Sequence, residues 1–471
     1  MTIGFIRSPR RVLSGLLGIL LLALILRPAL GSDTTTFDYG RHDPGEGGTA
    51  FYRPADTTEP LVNPPGEVVR NVILLIGDGM GTSQVFLSRL AACGVDCRLH
   101  MERMPVVGLM ATQPLGALVT DSAAAGTALA CGVRTANGML GVSPDRKVHQ
   151  NIFEAASDKG MRTGLVATST VTHATPAAFA SHVDTRNAEP IIASQMLARK
   201  INVILGGGKQ FWMPQSIEGS KRQDDVDLLQ RAKDLGYLFV ETYGQLFAAQ
   251  GPYVLGLFQN GPLTTKITLE QLAASDAVTH AQDGSGSAGS VGAVPDDDTV
   301  PAAADHANRE PTIEEMTRKA IELLNANNEN GFILMVEGSQ IDWVCHSNDA
   351  VNCVRQTLLF DMAVKAAIDF AQADGHTLVL VTADHETGGL TITQDDNRNP
   401  RPLWSTGGHT ALPVPVYAFG PGALDFGGTM DNVDIPRKLA KLLKIAPFPA
   451  ELPASAGVFT ADAPQAVPQR Q

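Results

Sequence analysis

The stretch that most constrains this chain is Asn71 to Ser83, N-V-I-L-L-I-G-D-G-M-G-T-S. Val72 to Ile76 form an unbroken apolar run, mostly β-branched, which fits a strand covered on both faces. Gly77-Asp78-Gly79 then lets the backbone turn sharply, and a helical pattern starts at Gly81. Strand, tight turn and helix in that order predict an α/β fold: a large, mostly parallel central sheet with helices on both faces. Such sheets collect ligands at the C-terminal ends of their strands, where Asp78 falls. An Asp there also serves as a plain helix N-cap, so the other strand ends must decide its role.

They repeat the arrangement. A strand at Gly164–Ser169 leads into Thr172-His173-Ala174-Thr175-Pro176, with Arg186 a little further on. Arg is the side chain suited to bidentate phosphate recognition. Strand Phe332–Val336 ends in Glu337, followed by Asp342 and His346 four residues apart. That spacing puts a carboxylate and an imidazole on one face of a helical turn, a typical zinc half-site. Strand Thr377–Val381 runs into Asp384-His385-Glu386, and Gly407-Gly408-His409-Thr410 precedes strand Val414–Phe419. Within Gly116–Val133 a small apolar strand is expected to lead into Thr120-Asp121-Ser122 and an Ala-rich helix. A serine at a helix start usually caps it, but the same place aims backbone N–H groups at an anion. Gly206-Gly207-Gly208-Lys209 lacks the spacing of a phosphate loop and reads as a tight turn. Asp78, Ser122, Thr175, Glu337, Asp342, His346, Asp384, His385 and His409 thus all fall at or just after strand ends, more than caps and turns account for.

The segments G-D-G-M-G, T-D-S-A-A, T-x-A-T-P-A-A, V-E-G-S-Q-I-D-x-x-x-H, V-T-A-D-H-E and G-G-H-T resemble those of the alkaline phosphatases, from about Asn71 to Gly422. The resemblance implies hydrolysis of phosphate monoesters through a phosphoserine on Ser122. It implies one zinc ion on Asp342, His346 and His409, and a second on Asp384, His385 and Asp78. A magnesium ion would be shared by Asp78, Thr175 and Glu337, with His173 beside it rather than on it, and Arg186 would clamp the phosphate. A homodimer is the family habit. Two departures stand out. Trp343 follows Asp342 where the familiar enterobacterial enzyme has a lysine, and the interval from His385 to His409 lacks the large insertion of vertebrate members. Sulfatases of the superfamily need C/S-x-P-x-R, whereas Ser122 precedes three alanines. A phosphodiesterase of the superfamily, or a protein that only sequesters phosphate or metal, is the competing reading. Glu337 and Thr175 argue against the first and the complete nucleophile-and-metal set against the second.

A net charge of −13 makes a nucleic-acid backbone an unfavourable partner and suits a site that holds cations. Residues 1–31 read as an export signal: Arg7, Arg10 and Arg11 precede an apolar run from Val12 to Leu26, and Ala29-Leu30-Gly31 offers a cleavage site. The run is short for a spanning helix, so the expectation is a periplasmic or extracellular protein with no stable membrane anchor. Residues 32–68 read as an extended arm, 69–446 as the catalytic domain, 282–308 as a flexible insertion and 447–471 as a disordered tail. Of five cysteines, Cys131 lies in the Ala-rich helix and is expected free; Cys93–Cys97 and Cys345–Cys353 are the local pairs open to bridging.

Overall fold

The computed structural model describes residues 49, 51–63, 68–264, 307–396 and 398–459. The apolar run after Arg70 forms β1 (Asn71–Gly77), buried along its whole length. It lies inside a ten-stranded sheet. The other strands, in chain order, are β2 (Val106–Ala111), β3 (Arg162–Thr170), β4 (Val203–Gly207), β5 (Leu238–Val240) and β6 (Val254–Leu257). They continue as β7 (Phe332–Gly338), β8 (Thr377–Thr382), β9 (Val414–Phe419) and β10 (Gly428–Asp431). Across the sheet they run β10-β2-β9-β8-β1-β7-β3-β4-β6-β5. β9 is antiparallel to both β2 and β8, and every other pairing in this sheet is parallel. With helices packed around it, this is the mixed, mostly parallel sheet expected. β1, β7 and β8 read as continuous apolar runs because both of their faces are covered.

Register places the strand ends. Ile76 lies opposite both Glu337 and Thr382, and Ala167 lies opposite Glu337. β7, β1 and β8 therefore finish at one level, β3 runs on past it to Thr170, and the segments that leave these four neighbouring strands meet there. The helices that matter next are α1 (Thr82–Cys93), α2 (Ser122–Cys131), α3 (Ala174–Ala178), α4 (Ile313–Asn325), α5 (Gln340–His346) and α6 (Ala350–Asp374). Thr312 and Glu315 form a capping box at the start of α4, and the Asp349 carboxylate caps α6. α4 and α6 pack against each other.

Several expectations need correction. Residues 116–120 form no strand: the exposed Leu118 and Val119 bury too little to pair, and Asn137 pins this loop by donating to the Val119 carbonyl at 3.1 Å. The strand nearby is β2 instead, whose alternate residues Val107 and Leu109 face solvent. The disordered tail is corrected for residues 447–459. Glu451–Leu452 pairs with Val148–His149, and Val458 bridges to Val183, so main-chain pairing fixes a segment with little apolar periodicity. Part of the extended arm is packed too: Phe51, Tyr52 and Leu61 are buried, and the Tyr52 hydroxyl donates to Asp361 at 2.6 Å. Cys93 and Cys97 form a disulfide and Cys131 is free. Cys345 and Cys353 are thiols rather than a bridge; their sulfurs meet at 3.6 Å as a buried hydrogen-bonded pair. The export segment 1–31, residues 282–306 of the insertion and the tail beyond 459 lie outside the described residues. Among those described, no helix is long and apolar enough to cross a membrane.

Candidate active site

The four aligned strands deliver a buried acidic cluster. Asp78 follows β1, Glu337 is the penultimate residue of β7, and Asp384 stands two residues beyond β8. His173 and Thr175 come at the start of α3, just after β3. Asp78, Thr175, Glu337, Asp384 and His385 have no solvent exposure. Three sets of donors lie close enough to share an ion: Asp342, His346 and His409; Asp78, Asp384 and His385; Asp78, His173 and Glu337. Within each set the candidate atoms are no more than 4.8 Å apart, and Asp78 belongs to two.

The inner sets fit a cation on physical grounds. Both Asp78 carboxylate oxygens, Glu337 Oε1, Asp384 Oδ2 and Thr175 Oγ1 are buried with no protein hydrogen bond. Buried polar atoms are nearly always paired, and several converging oxygens without donors call for positive charge. The electrostatics of the protein alone point the same way. Burial, then the charges of Asp384, Asp342 and Glu337, pushes the Asp78 carboxyl well above the carboxylate range. Burial also lifts Glu337 to about 7, although Ser339 and Ser169 hydroxyls lie 2.6 and 3.3 Å from its Oε2.

The outer set is built differently. On α5, His346 Nε2 sits 3.2 Å from Asp342 Oδ2, one turn away. His346 Nδ1 faces the Gly407 carbonyl at 2.7 Å, and His409 Nδ1 faces the Thr120 carbonyl at 2.8 Å. A carbonyl only accepts, so both rings carry a proton on Nδ1. Their Nε2 atoms then meet at 3.1 Å and need a proton or a cation between them. One carboxylate and two imidazoles are donors suited to zinc. The Asp342 hydrogen bond raises His346 to about 9. Burial works against ionisation of Asp342, but the hydrogen bonds with His346 and with the Thr387 hydroxyl hold the carboxyl low.

Ser122 opens α2, but it is not the cap. The Asp121 carboxylate caps the helix, accepting from Ala124 N at 3.0 Å. The Ser122 hydroxyl is thereby left free, with Oγ 3.3 Å from His385 Nε2. Arg186 reaches the same place: Nη1 donates to Asp121 Oδ2 at 3.1 Å and Nη2 to His173 Nε2 at 3.0 Å. Guanidinium cannot accept, so the His173 proton resides on Nδ1. Burial, then the Arg186 charge, lowers His173 to about 4, which leaves it neutral. His173 Nδ1 is itself buried without a hydrogen-bond partner, facing the set that Asp78, His173 and Glu337 form. Trp343 meets its ring edge-on at 6.1 Å.

All eleven residues singled out from sequence, including Arg186 and His173, therefore come together. Two others were missed. Glu386 accepts from Gln84 Nε2 at 2.8 Å, from the amides of Leu390 and Gly389, and from the Thr410 hydroxyl next to His409. It joins α1 to the strand pair Glu386–Thr387 and His409–Thr410. Thr387 lies between Asp342 and His385. Their only signal was adjacency to Asp384-His385.

The family model described as alkaline phosphatase matches residues 69–403. Alkaline phosphatase 4 of Bacillus subtilis is 32% identical over 80% of this chain and 89% of its own length. Streptomycin-6-phosphate phosphatase of Streptomyces griseus is 34% identical over 78% of this chain and 88% of its own. The solved alkaline phosphatase of the Antarctic bacterium TAB5 superposes with a TM-score of 0.65 at 30% identity, covering 81% of this chain and 99% of that one.

Proposed function

This chain belongs to the alkaline phosphatase family and is a phosphomonoester hydrolase, and we propose that its reaction runs through a phosphoserine on Ser122. The observation that carries this reading is the Ser122 hydroxyl, released from capping by Asp121 and 3.3 Å from His385 Nε2 beside orphaned carboxylates. In this reading Asp342, His346 and His409 hold one zinc ion, and Asp78, Asp384 and His385 a second. Asp78, Glu337 and Thr175 form an all-oxygen set for magnesium. Bound there, the ions supply Lewis acidity that activates the serine hydroxyl and offsets charge on the leaving and non-bridging oxygens.

The protein's own groups do the rest. Ser122 Oγ forms the new bond to phosphorus as the ester oxygen departs on the opposite side, and water later breaks that bond to release phosphate. Arg186, oriented by Asp121, binds non-bridging oxygens, and the amides opening α2 face the same charge. His173 takes one Arg186 N–H and so helps fix the guanidinium plane. A solved variant of the TAB5 enzyme, with a histidine replaced by aspartate, carries magnesium in its M3 site. We take His173 for the corresponding position, where a neutral imidazole adds no negative charge to the third ion. Export and a homodimer complete the reading, and the Cys93–Cys97 disulfide is in keeping with an oxidising compartment.

The test is turnover of a chromogenic phosphate monoester and the matching diester, with and without a chelator. Monoester turnover that chelation abolishes and zinc plus magnesium restores is expected. Preferred diester turnover, or activity indifferent to chelation, would overturn this assignment.

A further inference from the structure

Thr387 is fully buried between the outer and inner ligand sets. Its hydroxyl lies 2.5 Å from Asp342 Oδ1 and 3.2 Å from His385 Nδ1. The main chain holds it there. Thr387 N donates to the Gly79 carbonyl at 3.1 Å, and the Thr387 carbonyl accepts from Gln84 Nε2 at 2.8 Å. Gly79, at φ +68°, makes room: a Cβ at that position would stand 2.7 Å from Thr387 Oγ1 and 3.0 Å from Asp342 Oδ1. The second glycine of the G-D-G turn is therefore required by this hydroxyl as well as by its backbone conformation.

Donor counting then fixes the protons. A threonine hydroxyl has one hydrogen, and an ionised carboxylate can only accept. Thr387 must donate to Asp342, so it accepts from His385, whose ring proton is thereby placed on Nδ1. His385 Nε2 is left with its lone pair, and that atom sits 3.4 Å from Asp78 Oδ1, 3.2 Å from Asp384 Oδ2 and 3.3 Å from Ser122 Oγ. We propose that Thr387 is a positioning residue that couples the two zinc sites, holding one ligand of each in metal-binding form through a single hydroxyl. A cation on His385 Nε2 keeps the ring proton on Nδ1 and a cation on Asp342 keeps the carboxylate ionised; either one fixes the single orientation of the Thr387 hydroxyl that leaves the other ligand in metal-binding form. By linkage, occupation of one site then favours the other. This coupling rests on the two zinc sites proposed for these ligand sets.

Thr387→Val keeps the β-branched shape and removes the hydroxyl; Thr387→Ala does so without adding a methyl beside Asp342, and Thr387→Ser restores the group. Zinc is titrated into each metal-stripped protein against a competing chelator, with the tautomer of His385 followed by the nitrogen shifts of its ring. Loss of an outer-set partner to a metal-binding histidine typically weakens metal by roughly 10- to 100-fold. We expect losses of that size for both zinc ions in the Val and Ala variants, loss of positive coupling between them, and a mixed His385 tautomer. The Ser variant should return to within a few-fold of the parent, and every metal-free variant should still unfold cooperatively, the Val and Ala variants at a lower temperature because Asp342 and His385 each lose a buried partner. Val and Ala variants that bind both ions as the parent does, or that lose one ion alone, would overturn the proposal. A parent protein that binds no zinc would instead overturn the assignment of the sites themselves.

Discussion

The outer group of Asp342, His346 and His409 and the inner group of Asp78, Glu337 and Asp384 are neighbours, yet they handle charge in opposite ways. The outer side chains have partners within the protein, and His346 and His409 reach solvent at 39% and 15% exposure. Their carboxylate is held ionised and its histidine is held protonated, so the group is stable without metal. The inner side chains have no exposure, and five of the buried oxygens there and at Thr175 accept no hydrogen bond. That group reaches electrostatic balance only with protons or cations. The contrast comes from where the ligands sit: α5 and the His409 loop lie at the rim, whereas β1, β7 and β8 end inside the sheet.

The sharpest way to break this contrast is to neutralise one carboxylate on each side. Asp78→Asn should cut monoester turnover by roughly 10³-fold or more, because two ligand sets lose their shared member. In the chelated protein the same change should raise stability by on the order of 1–3 kcal/mol at pH 8, since it removes a carboxyl whose ionisation burial and its neighbours oppose. Asp342→Asn should lower chelated stability by a similar amount, because His346 and the Thr387 hydroxyl lose an ionised partner. Urea unfolding in excess chelator reads both signs; equal signs would erase the distinction.

A pH series sharpens it. Glu337 is raised in the folded protein from its ordinary 4.5 to about 7. Its contribution to stability is therefore fully present below about 4.5 and is lost as pH rises through about 7. The outer pair acts in a different window: Asp342 is depressed, and His346, raised from 6.5 to about 9, keeps its full contribution up to about pH 6.5 and loses it only above that. Chelated protein should lose about 2 kcal/mol between pH 5 and 6.5 from Glu337, and Glu337→Gln should flatten that part of the slope. Metal-loaded protein should not show it, because bound cations keep the carboxylates ionised.

How much of this was legible beforehand depends on whether the cause was local. Val72–Ile76 announced β1 because burial on both faces leaves no room for polar residues. Asp342 and His346 announced α5 because spacing by four has one geometric meaning on a helix. β2 was invisible by comparison: Gly108 interrupts it and its partners β9 and β10 are some 300 residues away, with Val107 opposite Tyr417 and Gly108 opposite Gly428. The release of Ser122 from capping depended on the rotamer of its neighbour Asp121. Thr387 and Glu386 act through side chains from α1, α5 and the His409 strand, contacts that no local pattern encodes. The tail at Glu451–Leu452 is held by backbone pairing, which leaves no trace in side-chain periodicity.

The smallest effect concerns the edge between the groups. His173 takes an N–H from Arg186 and gives the third site no charge, so His173→Asp should tighten magnesium by roughly tenfold. Titrating magnesium against activity at fixed zinc should shift the half-saturation point down by that factor. Superimposable curves would show that His173 does not tune the inner oxygen set.

The proposed role of the inner group, to serve Ser122 as a nucleophile, is tested by acid-quenching the metal-loaded enzyme during turnover of a phosphate monoester and weighing its peptides. One phosphoryl group on the peptide that carries Ser122 is expected, absent after chelation and absent in Ser122→Ala, whose turnover should be almost wholly lost while its metal content is unchanged. Full turnover by Ser122→Ala, or steady turnover by the parent with no phosphorylated peptide at any quench time, would contradict the account and make water the direct nucleophile.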